Sequence, residues 1–136
     1  MARLNYVELP VTDLSASRAF FETAFGWTLK SFGSTYAATV TGLTDIGLQG
    51  DVAAHSNAPL PVIEVDDLEA AMAAVRKAGG YITRPIYSFP GGARFHVREP
   101  SGLELAVWTS TSQWDGPEDQ MFLGDRKSAW RAQPSV

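Results

Sequence analysis

Leu9-Pro-Val-Thr-Asp-Leu14 and Ile63-Glu-Val-Asp-Asp-Leu68 are two versions of one phrase, set 54 residues apart. The same offset carries Gly26-Trp27 onto Gly80-Tyr81. Two matches at one spacing, in one order, point to a duplicated unit. Repeats of this length often build arrays, but 136 residues hold only two copies. The expectation is a pair of modules sharing one core.

Each copy parses alike. Leu4 to Val11 alternates as a strand, with Val7, Leu9 and Val11 on one face and Tyr6, Glu8 and Pro10 on the other. Asp13 is placed to cap a helix, its carboxylate accepting the free N–H groups of the first turn. Leu14, Phe21 and Phe25 recur at helical spacing, with Phe20 and Ala24 beside them, and Gly26 ends the helix. Three short strands are expected over 27–32, 35–41 and 45–50, with turns at Gly33-Ser34 and Gly42. The second copy opens with a strand over 60–65. Asp66 or Asp67 caps a helix bearing Leu68, Met72 and Val75, and Gly79-Gly80 closes it. Strands over 81–87, 93–98 and 103–109 follow, turned by Pro90-Gly-Gly92 and Pro100-Ser-Gly102.

The expected organisation is a single domain over 1–109, with module one at 1–52 and module two at 58–109. Residues 110–136 form an extension with no clear period, yet it carries Trp114, Met121, Phe122, Leu123 and Trp130. Free tails rarely hold so many large apolar groups. The extension is expected to pack on the body or on a partner subunit.

Composition excludes several functions. With no cysteine, neither disulfide nor thiol chemistry is open to the chain. A formal charge of −4 argues against a nucleic-acid partner. No apolar run approaches the roughly 20 residues that cross a bilayer, and strand-like sequence begins almost at Met1, so no membrane partner and a cytoplasmic location are expected. Phosphate-binding and dinucleotide signatures are missing, since Pro90-Gly-Gly92 lacks a strand–glycine–helix context.

The order β-α-β-β-β, twice, with Glu8-Leu-Pro-Val-Thr-Asp-Leu14, Phe25-Gly-Trp27, Phe95-His96 and Glu99-Pro-Ser-Gly102, resembles the vicinal-oxygen-chelate superfamily of glyoxalases, bleomycin-resistance proteins and dioxygenases. The resemblance spans about residues 3–109. It implies an α+β fold in which two βαβββ modules form a cupped, mostly antiparallel eight-stranded sheet with one helix per module. Relatives that are metal enzymes hold a divalent ion in the cup with His and Glu. The matching positions here are Tyr6, Leu60 and Ala106, and Gln49 is the nearest polar candidate for the fourth. Tyr, Leu and Ala cannot replace those ligands. The expectation is a cup with no cofactor. A replacement divalent-metal site at Glu8, His96 and Glu104 remains an alternative.

The same resemblance places Tyr6, Glu8, Arg94, His96, Glu104 and Trp108 on the inward face. Glu8, His96 and Glu104 are the candidate catalytic groups, and Tyr6, Arg94 and Trp108 the candidate ligand-binding groups. An imidazole near neutrality and an oriented carboxylate can move protons. Equally, Glu8 could pair with Arg94 and merely stabilise the cup, while His55 reads as a loop residue. Three functions follow. A small organic molecule is bound in a metal-free cup; or Glu8, His96 and Glu104 serve a metal-independent isomerase, epimerase or lyase; or the protein is a structural or interaction module. A homodimer is expected from the family.

Overall fold

Alternating apolar residues and two aspartate caps set out the same local plan twice. The structure, a computed structural model, describes residues 2–114. Module one runs β1 (Arg3–Pro10), α1 (Leu14–Phe25), β2 (Lys30–Ser31), β3 (Tyr36–Ala38) and β4 (Asp45–Gln49). After a single 3-10 turn at Val52–Ala54 come β5 (Leu60–Glu64), α2 (Leu68–Lys77), β6 (Tyr81–Phe89), β7 (Gly92–Arg98) and β8 (Glu104–Ser110). The Asp13 carboxylate accepts from the Ala16 N–H, and Asp67, not Asp66, accepts from the Ala70 N–H. Gly26 takes φ 72° and carries the chain out of α1, a conformation that costs other residues a Cβ clash.

All eight strands form one sheet in the order β2-β3-β4-β1-β5-β8-β7-β6. β1 and β5 meet antiparallel, Tyr6 opposite Val62 and Glu8 opposite Leu60. These are one pair seen from each module, because 6 and 60, like 8 and 62, differ by the repeat offset. The duplication in sequence is thus a two-fold relation in the sheet. Only β1 with β4 and β5 with β8 run parallel, so the sheet is mostly antiparallel as expected.

Both helices lie on one face. Under module two, Leu68 of α2 packs with Ala93, Phe95, Val97 and Val107, and Trp114 joins this cluster. Under module one, Leu14 and Phe21 of α1 pack partly against Leu29, Ala37 and Leu48. Burying a large apolar side chain contributes about 1.5–3 kcal/mol, and α1 gains less of this than its sequence promises. None of its residues is buried, and Phe20 and Phe25, expected beside or on its packed face, stay exposed. Instead its rings gather with Trp27, which stacks on Phe21 at 5.8 Å between centroids.

Two strands are shorter than expected, for visible reasons. Trp27 and Thr28 precede β2, the former held in the aromatic cluster. β3 stops at Ala38 because the Asp45 carboxylate gathers Thr39, Thr41 and Gly42 into the turn. Among the described residues no helix is long and apolar enough to cross a membrane. Met121, Phe122, Leu123 and Trp130 lie outside the described residues.

Candidate functional site

The face opposite the helices collects the polar residues. Pairings across β3, β4, β1, β5, β8 and β7 align Tyr36, Gly47, Glu8, Leu60, Ala106 and His96 and their alternate neighbours on it. The ion pair between Glu8 Oε1 and Arg94 Nη1, 3.5 Å long, crosses it. Glu8 is on β1 and Arg94 on β7, with β5 and β8 between them. In a flat sheet three strand spacings would separate them by about 14 Å. The long side chains of both residues, reaching across the concave face, close that gap.

A continuous hydrogen-bonded network fills the floor of this cup. Tyr6 and Tyr36 hydroxyls are 2.5 Å apart, and Tyr36 donates to Glu8 Oε1. Arg94 donates from Nε to the Tyr87 hydroxyl, which stands 3.1 Å from His96 Nε2. His96 Nδ1 lies 3.2 Å from Glu104 Oε2, and Thr83 Oγ1 donates to that same oxygen. Five strands contribute. The burial of Arg94 and Glu8 is tolerable because each is paired.

Electrostatics fix the protons. Desolvation lowers His96 to about 4, the Glu104 hydrogen bond only partly opposing it, so the ring is neutral at pH 7. Its contact with Glu104 is therefore a hydrogen bond, with Nδ1–H donating and Nε2 accepting from Tyr87. That bond from His96 is the main reason Glu104 lies below the usual carboxylate range, burial working against it. Burial raises Tyr6 and Tyr36 well above the ordinary phenol value, helped by neighbouring Glu8. Burial alone would lower Arg94, but Tyr87, Glu8 and Tyr36 outweigh it and raise it.

In front of the network lies a cleft of about 260 Å³. Glu8, His96 and Glu104 all line it, with Thr83, Arg84, His55 and Ser56. The three candidate catalytic residues thus share one space. Tyr6, Arg94 and Trp108 share the concave face but not this cleft. Tyr6 packs with Leu60, Val62 and Ala106, with Trp108 against them, and Trp108 Nε1 donates to Asn5 Oδ1 at 3.4 Å. His55, read from sequence as a loop residue, is a wall of the cleft and holds the Gln49 carbonyl through Nε2 at 2.9 Å. Arg84 and Tyr87 were not legible at all. Two register shifts in β6 put both on the network's side, breaking the alternation that would have revealed them.

The family's metal positions can now be completed. Glu8 pairs with Gly47 as Val62 pairs with Ala106, so Gly47, rather than Gln49, is the counterpart of Ala106. Gln49 instead accepts from the Asp51 N–H. Tyr6, Gly47, Leu60 and Ala106 offer one bonded phenol and three side chains without a donor atom. A Cβ on Gly47 would stand 2.0 Å from the Tyr36 oxygen and 2.1 Å from that of Tyr6, so tyrosine hydroxyls fill the space. These residues do not fit the family's divalent ion. The replacement set fits no better, because Glu8 is committed to Arg94 and both His96 nitrogens are engaged. Among the described residues no three His, Asp or Glu side chains are grouped to hold a metal.

Two βαβββ units joined through their leading strands into one cupped sheet define the paired-module class of α+β protein. The profile of the Glyoxalase/Bleomycin resistance protein/Dioxygenase superfamily matches residues 3–107, and the chain belongs to that superfamily. It is 28% identical over 115 residues to "Putative glyoxylase CFP32" of Mycobacterium bovis, a match covering 76% of this chain and 44% of the relative. The chain thus spans under half the length of that relative. In fold it is similar to methylmalonyl-CoA epimerase from Mycobacterium tuberculosis, with TM-score 0.63 and 14% identity over 80% of this chain and 88% of that one. It is also similar to a superfamily member from Vibrio splendidus 12B01, with TM-score 0.58 and 18% identity over 81% and 99%.

Proposed function

We propose that the protein binds a small organic molecule in the cleft over Glu8, His96 and Glu104, without a resident metal ion. One observation carries this: three side chains from β1, β7 and β8 converge on a single cavity. At about 260 Å³ it is just below the usual range of roughly 300–1,000 Å³ for drug-sized ligands, which suits a metabolite. The Glu8–Arg94 pair expected of a purely structural cup is present, and it closes the floor. The binding role belongs to the space in front of that pair.

Chemistry by isomerase, epimerase or lyase is the second reading, and the proton inventory speaks against it. A general acid or base works best with a pKa near the operating pH. His96 at about 4 is neutral with both nitrogens engaged, and Glu104 is displaced away from neutrality. Sequestration without turnover accounts for this better. A cytoplasmic, homodimeric protein is part of the same proposal, supported by the absence of cysteine and by the family.

The test is an NMR titration of the labelled full chain at pH 7 with a broad metabolite mixture, alongside elemental analysis. Shifts at Leu60, Thr83, His96 and Glu104 that vanish in Glu104→Ala are expected, with less than 0.1 metal ion per chain, about a tenth of the one-to-one occupancy of a resident site. A mixture that moves none of those resonances overturns the reading. Stoichiometric metal overturns its metal-free part.

A further inference from the structure

We propose that the occupant of this cleft is a small zwitterion, a molecule of α-amino-acid type carrying one compact carboxylate and one ammonium group. The inference rests on the binding role argued above and adds the charge pattern of the ligand.

The walls carry two carboxylates, Glu8 and Glu104, and one guanidinium, Arg84. Both bonds to the Glu8 carboxylate, from Tyr36 and Arg94, fall on Oε1. Both bonds to the Glu104 carboxylate, from Thr83 and His96, fall on Oε2. Among the described residues, nothing donates to Glu8 Oε2 or Glu104 Oε1. An ammonium has three N–H donors and can serve two carboxylates at once. A hydroxyl has a single proton and cannot.

Arg84 supplies the opposite sign. Its guanidinium carbon stacks 3.6 Å from the Tyr87 ring centroid, which holds the head group at the cleft wall. Among the described residues, no carboxylate forms an ion pair with it. A planar guanidinium fixed in this way is suited to take a ligand carboxylate through two parallel bonds.

The charge balance supports the pairing. Glu8 is neutralised from behind by Arg94, and His96 is neutral. Glu104 and Arg84 remain, one of each sign. A dianion would find a single cation, and a dication would face Arg84. A molecule with one charge of each sign matches both. The small volume excludes a long spacer between the two ends.

The experiment titrates the labelled full chain with L-alanine, L-serine and L-glutamine as zwitterions. Lactate provides carboxylate without amine, ethanolamine the reverse, and glycerol neither. The zwitterions are expected to bind at least about tenfold more tightly than any of the other three, a factor worth one charge-assisted hydrogen bond. Arg84→Gln should weaken alanine and lactate about tenfold but leave ethanolamine unchanged. Glu104→Gln, which keeps the side-chain shape, should weaken alanine and ethanolamine but not lactate. Lactate, ethanolamine or glycerol binding as tightly as alanine, with cleft resonances moving, overturns the zwitterion while leaving the cleft as a binding site. Silence from all six probes also overturns it. The metabolite-mixture titration then decides separately whether the cleft binds anything.

Discussion

The two modules share a topology and divide the chemistry between them. Register equates Tyr6 with Leu60, Glu8 with Val62, Tyr36 with Arg94, Ala38 with His96, Gly47 with Ala106 and Gln49 with Trp108. Module one thus puts its polar groups on its first strand, where module two puts aliphatic ones. Module two puts Arg94 and His96 on its hairpin, where module one has Tyr36 and Ala38. The halves are complementary rather than equivalent, and the Glu8–Arg94 pair spans the seam. A duplicated fold has become a single site, because the charge of Glu8 in one half is matched by Arg94 in the other.

Packing diverges in the same way. Module two has strands of nine, seven and seven residues after its helix, and module one has strands of two, three and five. Phe95 of module two is wholly buried, while Phe25 of module one is 56% exposed.

The largest effect should come from the seam. Arg94→Met leaves Glu8 buried without its countercharge and should cost about 3–5 kcal/mol in chemical denaturation. Adding Glu8→Gln should recover part of that loss, because the unpaired charge disappears. A double variant less stable than Arg94→Met would show that the pair is not the seam's main tie.

Acid should act next. His96 is depressed in the folded protein to about 4 from an ordinary 6.5, so the unfolded chain takes up that proton first. Its contribution is whole above about pH 6.5 and fades as pH falls toward 4, amounting to roughly 3 kcal/mol. Glu104, also held low, loses its share as pH falls through its folded value, so both act in the same direction. Stability curves between pH 7 and 4 check this, and His96→Gln should flatten the fall.

A smaller effect tests the filled metal position. Gly47→Ala drives a methyl into the Tyr6 and Tyr36 hydroxyls and should cost about 1–3 kcal/mol. The equivalent Ala106 of module two already carries that methyl without loss. The smallest effect is at the surface of α1, where Phe25→Ser removes half-exposed ring contacts with Phe21 and Trp27 and should cost no more than about 1 kcal/mol. A larger loss would mean that module one is better packed there than its exposure indicates.

Much of this was legible in the sequence, and the parts that were not share physical causes. The repeated phrase pointed to two modules, and the family resemblance, extended by alternation along β1, β7 and β8, put Tyr6, Glu8, Arg94, His96, Glu104 and Trp108 on one face. Alternation says which face a side chain shares, but not how deep it sits. Tyr6, Arg94 and Trp108 therefore belong to the cup without lining its cleft. Arg84 and Tyr87 were hidden by the β6 bulges, and His55 by its loop. Tyr36 could have been found, since alternation on a short strand pairs it with Ala38.

A crystal structure of the protein soaked with the metabolite mixture tests the account most directly. Density is expected in the outer cleft between Glu104 and Arg84, with Glu8 and Arg94 still joined behind it. A molecule or metal ion seated on the cup floor among Tyr6, Ala106 and Trp108, with that pair pulled apart, would contradict it.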